Sequence, residues 1–78
     1  MPLPLVGSID ARITAVAPVA IHGDRYLDLA LLIDTERTAV RIPLHCFPRH
    51  PEVDDHIRLS VLLGQVDSVA FLPRGNHE

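Results

Sequence analysis

The sequence predicts an all-β domain, a small five-stranded barrel that is closed or partly open. Residues 8–22 alternate apolar and mostly polar or small side chains with period two, and two later runs, 26–34 and 37–47, do the same. Such alternation is typical of half-buried strands. Near the end of the chain, Gly64 separates two further apolar runs, as in a hairpin. Five short strands without covering helices must close on themselves or leave aggregation-prone edges.

The first strand, Ser8–His22, is too long to stay straight in a small domain. Its extended length would be on the order of 45 Å, so we expect a sharp bend. Pro18 cannot donate to a strand ladder, and it predicts a bulge or a change of pairing there. A three-residue turn at 23–25 would then keep both apolar faces together by pairing Ile21 with Leu27.

The second and third strands are predicted over Tyr26–Asp34 and from Arg37 to about Phe47. Residues 48–55 contain two prolines and no periodicity, which indicates a loop. This loop has room for one helical turn at 52–55. The order of elements is therefore a long bent strand, two meander strands, a connecting segment and a closing hairpin.

The closing hairpin is predicted to turn at Gly64–Gln65, because glycine followed by another residue is the chemistry of a type II′ turn. This turn pairs Leu59 with Ala70 on the inward face. It also places Arg58 beside Phe71 on the outward face.

Length and composition predict one soluble domain over residues 1–78, with an N-terminal arm at 1–6 and a flexible tail at 74–78. The start lacks the basic segment of a signal peptide, and no apolar run reaches the roughly 20 residues of a membrane helix. A single cysteine cannot form an internal disulfide, which favours a reducing compartment. We therefore expect a cytoplasmic location.

The charge balance does not resemble that of a nonspecific nucleic-acid binder. The formal net charge is −3, from ten acidic residues against seven arginines, with no lysine. Proteins that bind nucleic acid nonspecifically draw most of their affinity from neutralising phosphates, and they usually carry a net positive charge.

Two segments resemble the S1-like members of the OB-fold superfamily. Pro51–Asp67 is similar to the approach to their fourth strand, "GD-x-V-x-V-x-V", and Gly7–Ile13 to their opening "G-x-V-x-x-V". The sequence departs from the pattern at Asp54, where the family has glycine, and its 48–55 segment is too short for the family's full helix. An SH3-like barrel is the alternative for a five-stranded meander of this size.

The resemblance implies a binding module for single-stranded nucleic acid, because OB domains bind ligands across strands two and three and the adjoining loops. Bases would stack on aromatic side chains while arginines contact phosphates. The side chains expected to bind nucleic acid are Arg25, Tyr26, Arg41, His45, Arg58 and Phe71.

The alternative function is protein interaction or homo-oligomeric assembly. In the predicted register, Val16, Leu32 and Ala39 form a flat apolar strip on the outer face, which is typical of an interface. The strip could seat a second copy of the chain, another protein, or the chain's own Pro2–Val6 arm.

Enzymatic activity is not expected, because no nucleophile–base motif, phosphate loop or carboxylate pair can be identified. His45, His50 and His56 lie near Cys46 in the sequence, but without the paired spacing of zinc ligands. Alternation points Cys46 inward when His45 points outward. We therefore expect no metal and no cofactor.

Overall fold

The chain forms one antiparallel sheet of five strands in the order β3-β2-β1-β4-β5. The computed structural model describes residues 5–73, so the 74–78 tail and the first four residues of the arm lie outside the described part. The all-β prediction is confirmed. The strands are β1 (Val6–Ile21), β2 (Asp24–Ile33), β3 (Glu36–Pro43), β4 (His56–Leu62) and β5 (Gln65–Phe71).

The two edges of the sheet, β3 and β5, are not joined by backbone hydrogen bonds within residues 5–73. A single turn of 3-10 helix, Leu44–Cys46, follows β3 and contacts both β2 and β5. The Cys46 Sγ lies 3.7 Å from the carbonyl oxygen of Asp67 on β5. The third strand therefore ends at Pro43, earlier than its alternation predicted, and the helical turn bridges towards the far edge.

β1 bends at Thr14 rather than at Pro18, the position that the sequence predicted. Ile13 lies opposite Leu31 and Ala15 lies opposite Ala30, so Thr14 is the extra residue of a bulge. Its hydroxyl donates to the carbonyl of Ala30 at 3.1 Å. A bulge shifts the alternation by one residue, so the odd-numbered side chains that face the core before Thr14 face outward after it.

The β1–β2 turn contains two residues, His22 and Gly23, and the predicted three-residue turn at 23–25 is wrong. Both residues have positive φ, 51° and 85°. Positive φ at both central positions is the type I′ geometry, whose twist matches that of the flanking strands. Ile21 therefore lies opposite Asp24, not Leu27.

The β4–β5 turn is also displaced by one residue, to Leu63–Gly64, with φ values of 55° and 77°. A second bulge places Asp67 between the Val61–Val66 and Ser60–Ser68 pairs. As a result Leu59 lies opposite Val69, and the predicted pairing of Leu59 with Ala70 is wrong. Beyond Asp67 the two faces of β5 are therefore the reverse of those expected: Val69 is buried and Ala70 is exposed.

All five strands contribute to a single apolar core on the inner face of the sheet. The alternation predicted for β2 is confirmed, since its odd-numbered residues from 27 to 33 are all buried. The buried apolar residues are Ala11, Ile13, Leu27, Leu29, Leu31, Ile33, Ile42, Ile57, Leu59, Val61 and Val69.

The 48–55 segment is a loop, as expected, but it contains a β-turn at 52–55 instead of a helical turn. The Asp55 N–H donates to the Glu52 carbonyl at 3.1 Å, and Asp54 has a φ of 76°. The loop is attached to the β1 bulge by two backbone bonds. Ile13 N–H donates to the Asp55 carbonyl at 2.9 Å, and Asp54 N–H donates to the Ile13 carbonyl at 2.8 Å.

Candidate binding surfaces

Two of the arginines expected to contact phosphates are engaged in cross-strand ion pairs. Arg41 Nε and Nη2 donate to the two carboxylate oxygens of Asp28 at 2.7 and 3.0 Å. Arg58 donates in the same bidentate way to Asp10, at 2.6 and 3.0 Å. A phosphate would therefore have to displace a carboxylate at each arginine.

The same ion pairs shift the pKa values of the groups that form them. The hydrogen bonds from Arg58 and Arg41 lower the pKa of Asp10 and of Asp28, respectively, and the charges of the two arginines act in the same direction. Conversely, the carboxylates raise the pKa of both guanidinium groups. All four groups lie at the surface and are charged at neutral pH, so each pair adds no net charge to its face.

Phe71 does not lie beside Arg58, and the predicted Arg58–Phe71 pair is wrong. Phe71 lies opposite Ile57 and packs partly against the core, whereas Arg58 lies opposite Ala70 on the other face. The Arg49 guanidinium covers the Phe71 ring, with its carbon 3.8 Å from the ring centroid. This contact leaves less of the ring open for stacking with a base.

Val16, Leu32 and Ala39 do not form the predicted strip. Because of the Thr14 bulge, Val16 lies opposite Leu29 and packs against the core. Leu32 and Ala39 both remain on the outer face but in different rows.

The outer face of β1, β2 and β3 instead carries a row of three alanines. Ala15 lies opposite Ala30, which in turn lies opposite Ala39. Ala15 and Ala39 are exposed and Ala30 is half-buried. We call this the outer alanine row. The row is uncharged. On the outer face it has the Asp28–Arg41 ion pair next to it on one side, and Leu32 opposite Arg37 on the other.

At the far end of the same three strands lies a groove in which Arg25, Tyr26 and His45 come together, three of the side chains that the sequence predicted to bind nucleic acid. Two adjoining cavities, of about 380 and 480 Å³, share Arg25, Tyr26 and Leu44 in their walls. His50 lines the first cavity and His45 the second. We call the two together the Arg25 groove.

The elements that form the Arg25 groove explain its shape. The β1–β2 hairpin projects beyond the core, and β1 contributes Pro18 and Val19 to the apolar wall. The 3-10 turn and the following loop face this hairpin across the groove. Among residues 5–73, Arg25 has no ion-pair partner, in contrast to Arg41 and Arg58. The groove therefore combines apolar walls with an available cation.

A second apolar cluster, which was not predicted from the sequence, lies at the other end of β1. It forms where the β4–β5 turn meets the start of β1: Val6 lies opposite Leu62, and the Gly64 N–H donates to the Leu5 carbonyl at 3.0 Å. We call this cluster the leucine tip. Its exposed side chains are Leu5 (68%), Val6 (64%), Leu62 (52%) and Leu63 (72%). The sequence Leu62-Leu63-Gly64 is the signal for this cluster. The predicted turn at Gly64–Gln65 lies one residue too late, so it placed Leu63 in a strand instead of in the turn.

Cys46 lies beside His45 in the 3-10 turn and is half-buried. Burial, followed by the negative charge of Asp67, raises the pKa of the Cys46 thiol, which makes it a poor nucleophile. Within residues 5–73 no group of three or more His, Cys, Asp or Glu side chains is arranged to hold a metal ion.

None of the helical structure described is long and apolar enough to cross a membrane. Comparisons with protein-family models, with curated proteins and with solved structures found no match to the chain.

Proposed function

We propose that the protein is a non-enzymatic binding module built on a partly open, OB-like barrel, and that its ligand is another protein chain. The contact surface in this proposal is the outer alanine row together with the Arg25 groove at the end of the same strands.

Two features support the OB-like barrel. β1 is paired with both β2 and β4. The 3-10 turn Leu44–Cys46 follows the edge strand β3 and contacts the other edge strand, β5. In addition, Asp54 occupies the position of the glycine in the OB pattern and has a positive φ of 76°. Glycine is favoured at such positions because it lacks a Cβ, so Asp54 performs the same conformational role.

The observation that carries the protein-contact proposal is the outer alanine row. It presents the small side chains of Ala15, Ala30 and Ala39 on three adjacent strands without an intervening charge. The cores of protein interfaces are depleted in charged residues. On one side of the row, Asp28 and Arg41 neutralise each other, so a partner need not desolvate an unpaired ion on that side.

Electrostatics favours a protein ligand over a nucleic acid for this surface. The chain has a formal net charge of −3, and four of its arginines form ion pairs with carboxylates. Because phosphate contacts supply much of the affinity for nucleic acid, a strand on this face would gain little from them.

Site-specific photo-cross-linking tests the proposal. A photoreactive side chain placed at Ala39, in the organism that expresses the protein, is expected to give a protein adduct. The control is the same side chain at Ala70, which is exposed on the outward side of β5. An adduct that forms equally well at both positions, or at neither, would contradict a specific contact at the outer alanine row.

Single-stranded nucleic acid is the second candidate ligand, and the convergence of Arg25, Tyr26 and His45 favours it. Stacking on one aromatic ring contributes about 1–3 kcal/mol per base, so the proposed binding is weak. Fluorescence anisotropy with a labelled oligonucleotide at low salt tests it. Arg25→Ala should abolish binding, whereas Arg37→Ala removes the same charge elsewhere on the face and should not. Equal losses would indicate nonspecific attraction.

A further inference from the structure

The leucine tip contains a residue in an unfavourable backbone conformation. Leu63 has a φ of 55° and is 72% exposed. Positive φ is uncommon for a bulky side chain, and type I′ turns favour asparagine, aspartate or glycine there. Within residues 5–73, Leu63 therefore gains neither burial nor favourable backbone geometry. A contact outside the chain would account for an apolar side chain at this position.

The surroundings of Leu63 give the tip a defined chemistry. Leu62 and Leu63 line one surface depression with Asp67, the bulged residue of β5. The Asp67 carboxylate has no hydrogen-bond or ion-pair partner among residues 5–73. The tip is thus an exposed apolar knob with an available negative charge at its side.

The Arg25 groove has the complementary chemistry. Its walls include Val19, Tyr26 and Leu44, and its Arg25 guanidinium has no ion-pair partner in the described residues. The tip is therefore apolar with a free acid, and the groove is apolar with a free base. The acidic tip and the basic groove belong to the same chain. Their complementary charges therefore identify a second copy as the occupant of the groove.

One molecule cannot bring its own halves together. Val6 lies in the tip at the start of β1, and Val19 lines the groove near its end. A fully extended strand from Val6 to Val19 would separate its two ends by roughly 40 Å. Contact between tip and groove must therefore occur between copies.

We propose that the leucine tip of one copy binds in the Arg25 groove of the next, with Asp67 pairing with Arg25 across the contact. The inference rests on the proposed protein-binding function and names the partner. Such a head-to-tail contact uses two different surfaces, so an assembly of any length still presents one free tip and one free groove at its ends. The expected product is a chain of copies whose mean length increases with concentration.

Two variants, each defective on one side, test this arrangement by light scattering. Leu63→Asn removes the knob and gives the turn a residue suited to positive φ, so it should fold at least as stably as the wild type. Arg25→Glu reverses the charge of the groove. Each variant alone should associate at least tenfold more weakly than the wild type. Val53→Asn is the control, because it removes an apolar side chain of 52% exposure from a different turn, and it should leave association unchanged.

The mixture of the two variants is the decisive measurement. Leu63→Asn keeps its groove and Arg25→Glu keeps its tip, so an equimolar mixture should form a 1:1 dimer and nothing larger. A chain that carries both Arg25→Glu and Asp67→Arg, measured alone, should again form long assemblies, because its ion pair is reversed.

Three outcomes would overturn the inference: a wild type that remains monomeric at millimolar concentration, a mixture that remains monomeric, or a Leu63→Asn variant that associates like the wild type. A monomeric wild type that still cross-links another protein at Ala39 would overturn self-association and leave the proposed function standing.

Discussion

The guanidinium of Arg49 lies over the ring of Phe71 and also donates to the buried carboxylate of Asp55, at 3.1 Å. Asp55 is 2% exposed and accepts a second hydrogen bond from the Glu52 N–H at 2.8 Å. Through Arg49, the 48–55 loop is attached to β5, and through Ile13 it is attached to β1. The loop that forms one wall of the Arg25 groove is therefore fixed from two sides.

Removal of the Asp55 carboxylate should destabilise the fold more than any other single change in this loop. Asp55→Ala leaves the Glu52 N–H and the Arg49 guanidinium without their acceptor, and we expect a loss of about 2–4 kcal/mol. Urea denaturation measures it. Asp54→Asn is the matched control, since it alters a neighbouring carboxylate that is mostly exposed and should cost less than about 1 kcal/mol. Equal losses would contradict the role assigned to Asp55.

The register of the β4–β5 hairpin is tested by two adjacent substitutions. Val69→Asp buries an unpaired charge in the core and should unfold the domain, whereas Ala70→Asp should leave it folded, because Ala70 is exposed. Circular dichroism with thermal denaturation distinguishes the two variants. A stable Val69→Asp variant together with an unfolded Ala70→Asp variant would mean that β5 lacks the bulge at Asp67.

The conformation of Asp54 predicts an order of stability among three side chains. Asp54→Ala keeps a Cβ at a φ of 76° but removes the short polar side chain that favours this conformation, together with the 2.8 Å ion pair with Arg12, so it should cost about 1 kcal/mol. Asp54→Gly relieves the backbone and should be within about 0.5 kcal/mol of the wild type. Chemical denaturation of both variants gives the order. A more stable alanine than glycine variant would contradict the positive φ.

The ion pairs of Asp10 and Asp28 predict how stability depends on pH. Both carboxyls have a lowered pKa in the folded chain, so their contribution is complete above the unfolded pKa of about 3.9. It is lost as the pH falls through the lower, folded value. Denaturation of Asp10→Asn/Asp28→Asn should show a shallower loss of stability below pH ~4 than the wild type does. Identical profiles would show that the two pairs contribute nothing, as many exposed ion pairs do.

The sequence indicated the strands but not their exact registers, because the turns and the two bulges carry little sequence signal. Both turns place a residue with positive φ before a glycine, and these residues, His22 and Leu63, carry no turn signal in the sequence. A displacement of one residue exchanges the two faces of a strand. In β5 this displacement comes from Asp67, the extra residue of the bulge, which places Phe71 on the inner face instead of the predicted outer face.

How well the site residues could be placed from the sequence also depended on strand register. Arg25, Tyr26 and His45 lie near strand ends, where a small register error does not separate them, and their convergence was predictable. The Thr14 bulge has no sequence signature, so Val16 was placed on the wrong face. The ion pairs of Arg41 and Arg58 depend on cross-strand register and could not be derived from the chain alone.

The most direct test of the proposed function uses the Arg25 groove, where both candidate ligands would bind. A photoreactive side chain at Tyr26, cross-linked in the organism that expresses the protein, captures whatever occupies the groove. Digestion of the isolated adduct then identifies its class. The protein-contact proposal predicts an adduct that protease shortens and nuclease leaves intact, at a mass that fits a second polypeptide. An adduct that nuclease removes and that contains no second polypeptide would contradict it.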